Sequence, residues 1–86
     1  MKTFNDLFMD KLDDLFEDSS FQKICVIPCI RVYSSLGKFT IEFDLSVNWY
    51  DLSDFPDFGQ SKILFSAHNN TLRVMLEFQF KDEDYE

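Results

Sequence analysis

The 86 residues carry eight Lys and Arg against sixteen Asp and Glu, a net charge of −8, with eleven Phe and only two Gly and two Pro. That length suits one domain, 1–86, with a single core, and 45% apolar content excludes a wholly disordered chain. The acidic balance excludes general binding of nucleic acid, which needs a basic face, and no run approaches the roughly 20 apolar residues of a membrane span.

Residues 3–18 read as an amphipathic helix. Phe4, Leu7, Phe8, Leu12, Leu15 and Phe16 recur at three- and four-residue spacing and form one stripe. Thr3 with Asp6 three positions later resembles a capping box. Lys11 falls on the margin of the stripe, where it must snorkel or pair with a carboxylate. The acids at 6, 10, 13 and 14 also argue against a secretory signal, whose middle segment is apolar.

Residues 21–33 are apolar and β-branched and read as a strand. Pro28 lacks an N–H, which puts that strand at a sheet edge or on a bulge. Cys25 and Cys29, four residues apart in an extended strand, would lie about 13 Å apart, beyond disulfide reach. Two unpaired thiols fit a reducing, cytoplasmic setting. Ser34-Ser35-Leu36-Gly37 reads as a hairpin turn.

Residues 38–50 alternate without a break: Phe39, Ile41, Phe43, Leu45, Val47 and Trp49 on one face, Lys38, Thr40, Glu42, Asp44, Ser46 and Asn48 on the other. That is a half-buried strand. Residues 51–60 break the pattern and form a loop. Residues 61–68 make a third strand, His68-Asn69-Asn70 a turn, and residues 71–81 a fourth, alternating strand. The acidic tail 82–86 should fray. The expected fold is α+β: an N-terminal amphipathic helix on one face of a four-stranded antiparallel sheet, α-β-β-β-β, with the strands in meander order.

The usual signatures of catalysis are missing. Gly37 and Gly59 stand alone, so no glycine-rich phosphate loop is present, and His68, the single histidine, falls in a turn away from any Ser or Cys motif. Asp51, Asp54 and Asp57 recur every three residues, which does not match the alternating ligands of a calcium loop. The expectation is a non-enzyme with no metal and no cofactor.

Charge placement is more specific. Asp6, Asp10, Asp13, Asp14 and Glu17 lie opposite the apolar stripe at i,i+3 and i,i+4 spacings, where like charges cost roughly 0.2–0.5 kcal/mol per pair. Asp14 and Glu17 also approach the helix C-terminus, where the macrodipole disfavours negative charge. An ordinary solvated face would intersperse lysines and gain that energy. Four residues of helix advance about 6 Å, so the row can stand in for a phosphate backbone in a basic groove. Glu42 and Asp44 on the polar strand face, with Asp51, Asp54 and Asp57 in the loop, would extend the surface. Phe55 and Phe58 would supply apolar anchors.

In size, acidity and α+β make-up the chain resembles phage-encoded anti-restriction, anti-CRISPR and uracil-glycosylase-inhibitor proteins. The likeness rests on those three properties and on no shared motif, so it assigns no residue a role. It implies a small acidic inhibitor, a DNA mimic that occludes the basic surface of a nucleic-acid-binding protein without itself binding nucleic acid or membrane. The alternative is an interaction module or oligomer subunit that uses the edge strand around Cys25–Tyr33, giving a homodimer, or the aromatic 49–58 loop.

Overall fold

Thr3 starts the first helix. Its hydroxyl accepts a hydrogen bond from the Asp6 N–H at 3.1 Å, and the Asp6 carboxylate accepts from the Thr3 N–H at 3.2 Å, a complete capping box. In the computed structural model, which describes residues 2–25, 30–35, 37–45, 55–68 and 70–85, helix α1 spans Phe4–Glu17.

Asp18 then ends one helix and begins another. Its backbone is extended, and its carboxylate accepts from the N–H groups of Ser20 (2.8 Å) and Phe21 (3.1 Å), opening α2 at Ser19–Ile24. The expected strand at 21–33 is corrected here, because its first four residues are helical. The N-cap supplies the turn, and Phe21 and Ile24, three apart on a helix, both reach the core, at 0% and 2% exposure. The strand that remains, β1, covers Arg31–Ser35. Cys25 forms an isolated bridge to Leu45 and is buried. Pro28 and Cys29, and the 46–50 half of the second expected strand, lie outside the described residues.

The sheet has β2 at Lys38–Asp44, β3 at Lys62–His68 and β4 at Thr71–Gln79, antiparallel throughout. Its order is β1-β2-β4-β3, which corrects the expected meander. β2 and β3 run in the same direction, with β3 one place farther out. β4 then folds back through the turn at Asn70 (φ 66°) into the gap. The two most regular alternating strands thereby become central. β2 buries Phe39, Ile41 and Phe43, and β4 buries Val74, Leu76 and Phe78.

The helices cover that apolar face. The Phe8 ring lies tilted 4.7 Å from Phe39, and Phe21 meets Phe43 edge-on at 5.0 Å. Each such pair adds about 0.5–1.5 kcal/mol to the burial itself. Lys11 resolves its marginal position by snorkelling. Its amine lies 5.0 Å from the centre of the Phe78 ring and donates to the Phe58 carbonyl, tying α1 to the loop before β3.

The tail does not fray. Asp82–Asp84 form a 3-10 turn, with the Lys81 N–H donating to the Asp84 carboxylate at 3.1 Å. Tyr85 is buried, its ring 5.5 Å from Phe4. Gly37, at φ 89°, makes room for it: a Cβ there would come within 3.1 Å of the Tyr85 hydroxyl.

Candidate acidic interface

The outward face of α1 carries Asp6, Asp10, Asp13, Asp14 and Glu17, all exposed. They differ in what they touch. Asp6 is committed to the capping box. Asp10 pairs with Lys2 at 2.5 Å, an ion pair open to water on both sides. That hydrogen bond, followed by the attraction of the Asp10 charge, raises the Lys2 pKa above its ordinary value, and Asp6 and Asp14 add to the effect. Among the described residues no cation pairs with Asp13, Asp14 or Glu17. The nearest candidate on the helix, Lys11, is turned to Phe58.

The acids predicted on the sheet are placed differently. Glu42 lies between Arg31 (3.4 Å) and Arg73 (3.8 Å), and Asp44 holds Arg73 at 2.9 Å. Cross-strand register produces this network, since Arg31 is opposite Glu42 and Asp44 is opposite Arg73. Glu77 has Lys38 at 3.7 Å. The outward sheet face thus sets Arg31, Lys38, Lys62 and Arg73 against Glu42, Asp44 and Glu77, four bases to three acids. The rest of the chain holds thirteen acids against Lys2, Lys11, Lys23 and Lys81. Among the described residues the excess negative charge therefore lies off the sheet face.

The loop residues divide. Phe58 is a core side chain at 7% exposure, in edge contact with Phe21 at 5.6 Å, so it is no surface anchor. Phe55 is half-buried and packs edge-on against Phe58 and Phe65. Asp57 is exposed and accepts from the Gly59 N–H at 2.8 Å, a loop-shaping turn. Asp51 and Asp54, with Trp49 and Tyr50, lie outside the described residues.

Two side chains emerge that the periodicity did not pick out as surface. Met9 is 47% exposed, and Phe16, assigned to the apolar stripe, is 39% exposed. Seven residues apart, they line one margin of the acid row, with Asp13 between them. Met9 lies outside the stripe, and that was its only signal. The tail adds more acid, because Asp82, Glu83 and Asp84 are exposed and Tyr85 anchors them at the Phe4 end of α1.

A shallow cleft of about 200 Å³ opens between α1 and the 55–60 loop, lined by Lys11, Asp14, Leu15, Asp18, Asp57 and Phe58. Two of its three carboxylates already accept backbone N–H groups, Asp18 as a helix cap and Asp57 in its turn. No cluster of His, Cys, Asp or Glu among the described residues has the arrangement of a metal site. None of the described helices is long and apolar enough to cross a membrane. No protein-family model, curated protein or solved structure matches the chain.

Proposed function

We propose that this protein is a non-enzymatic inhibitor that lays the acidic face of α1 into the basic groove of a nucleic-acid-binding protein and so excludes the nucleic acid. The observation that carries the reading is the row Asp13, Asp14 and Glu17, which makes no ion pair among the described residues although like-charge repulsion works against the helix. Asp10 lengthens the row, and the exposed Asp82–Asp84 add negative charge at the Phe4 end of the same helix. Met9 and Phe16 offer apolar contact at its margin, the role first expected of Phe55 and Phe58. Carboxylates about 6 Å apart along the axis suit guanidinium and ammonium groups that otherwise bind phosphates. This is the mode of action, at a cytoplasmic site, that the resemblance to anti-restriction and anti-CRISPR inhibitors implies.

The test is capture of the partner from a host extract at low salt, followed by salt elution and competition with duplex DNA. The expected result is a basic protein displaced both by salt and by DNA. If Asp10→Lys, Asp13→Lys and Asp14→Lys together left its affinity unchanged, the helix face would not be the contact surface.

A further inference from the structure

β3 is an edge strand of the sheet, and among the described residues no strand pairs with its outer side. Hydrogen-bonded pairs between β2 and β4 are fixed by Phe80 N–H to Gly37 C=O (2.8 Å) and Leu45 N–H to Leu72 C=O (2.9 Å). In an antiparallel ladder the direction of the backbone groups alternates. Residues 72, 74, 76, 78 and 80 therefore face β2, and Arg73, Met75 and Glu77 face β3, opposite Ser66, Leu64 and Lys62. The N–H and C=O groups of Ile63, Phe65 and Ala67 must then point away from the sheet, and among the described residues nothing else accepts or donates to them.

Natural edge strands are guarded by charge, Pro or a bulge. Residues 63–67 contain no charge, Pro or Gly, in a chain of net charge −8. Leu64 is 48% exposed and Phe65 36%. The opposite edge, β1, points only Val32 and Ser34 outward, because Arg31, Tyr33 and Ser35 face β2.

We propose that two copies of this chain pair β3 to β3 about a two-fold axis through Phe65, forming one continuous eight-stranded antiparallel sheet. The strand is complementary to itself in that register. Phe65 faces its own copy, and Ile63 faces Ala67. About six hydrogen bonds then satisfy every outward group of the two strands. Side chains at 63, 65 and 67 share the face that carries the core, so the two phenylalanine rings meet and extend the apolar layer. Lys62, the only Lys, Arg, Asp or Glu in the strand, is set about 20 Å from its copy. A partner chosen for its basic charge would find no acid on this edge, whereas a second copy meets no like charge.

The test is sedimentation of the purified full chain at micromolar to hundreds of micromolar concentration, at about 50 mM and about 500 mM salt. The expected species has twice the 10.2 kDa chain mass, and salt leaves it intact, because screening relieves repulsion between the two acidic bodies. Ala67→Pro removes an outward N–H without touching the pairing to β4, and Phe65→Lys sets two ammonium groups face to face. Each is expected to halve the mass, while Ser34→Pro on β1 leaves the dimer. Amide exchange on the unmodified chain gives a readout independent of folding in the variants: the Ile63, Phe65 and Ala67 amides become protected as concentration rises. A monomer at every concentration, fast exchange at those three amides, or a dimer that survives Ala67→Pro overturns the proposal. The acidic-face reading fails separately, since it concerns a foreign partner whose binding weakens with salt.

Discussion

The two charged surfaces of this molecule use the same kind of side chain, the carboxylate, in opposite ways. On the outward sheet face Glu42, Asp44 and Glu77 are half-buried, each with a Lys or Arg within 4 Å. On α1, Asp13, Asp14 and Glu17 stand in water with no ion pair among the described residues. A net charge of −8 does not distinguish these surfaces, and the placement of the cations does. The sheet acids belong to the fold, and the helix acids are left for something outside it.

The contrast can be broken most forcefully at Arg73. Arg73→Met leaves Glu42 and Asp44 short of their shared cation at about 15% side-chain exposure, and is expected to cost about 2–3 kcal/mol by urea denaturation. A loss under half a kcal/mol would mean that the sheet charges are as dispensable as surface ones. Thr3→Ala, which removes the N-cap, is expected to cost about 1 kcal/mol. It tests whether Asp6 serves the helix rather than the partner surface.

Smaller effects sharpen the other side. Asp13→Asn relieves repulsion from Asp10 and Glu17 and is expected to stabilise the fold by a few tenths of a kcal/mol, a gain that fades in molar salt. The same change weakens partner capture. Destabilisation would instead reveal a structural role for this carboxylate.

The smallest expected effect is at the tail. Burial, reinforced by the neighbouring Asp82, raises the Tyr85 pKa above its ordinary value near 10. The folded state therefore favours the neutral phenol, so this contribution is whole below the ordinary value and is lost as pH rises through the raised one. Tyr85 should ionise late by tyrosinate absorbance, and Tyr85→Phe should remove that step.

Much of the fold was legible in the sequence because its signals were local. The capping box, the apolar stripe of α1 and the unbroken alternation of β2 and β4 each lie within a dozen residues. The turn at Gly37 and the left-handed Asn70 follow from residue type. What was not legible depended on partners distant in the chain. The crossing from β2 to β3 leaves no periodic trace, so the strand order stayed hidden. The helix Ser19–Ile24 is too short to show a period and was masked by the apolar run that follows, although Asp18 before two serines was its cap signal. The tail looked like an acidic frayed end because the seat of Tyr85 is built from Phe4 and Gly37, far away in sequence.

The candidate surface divides along the same line. The helix acids were readable because a helix maps spacing directly onto a face. Glu42 and Asp44 were placed on the correct face, but their neutralisation by Arg31 and Arg73 depends on strand register. Phe58 was taken for an anchor and is core, because a loop's aromatic residues carry no periodicity to say which way they turn.

The central claim is that the helix face, and not the sheet face, meets the partner. Two charge-changed proteins decide it: one carrying Asp13→Lys, Asp14→Lys and Glu17→Lys, the other Glu42→Gln and Glu77→Gln, both folded by circular dichroism. Each is used to capture the host partner across a salt series. The account predicts that the helix variant loses the partner at every salt concentration, while the sheet variant keeps it with an unchanged salt slope. A helix variant that still binds, or a sheet variant that alone does not, would contradict it.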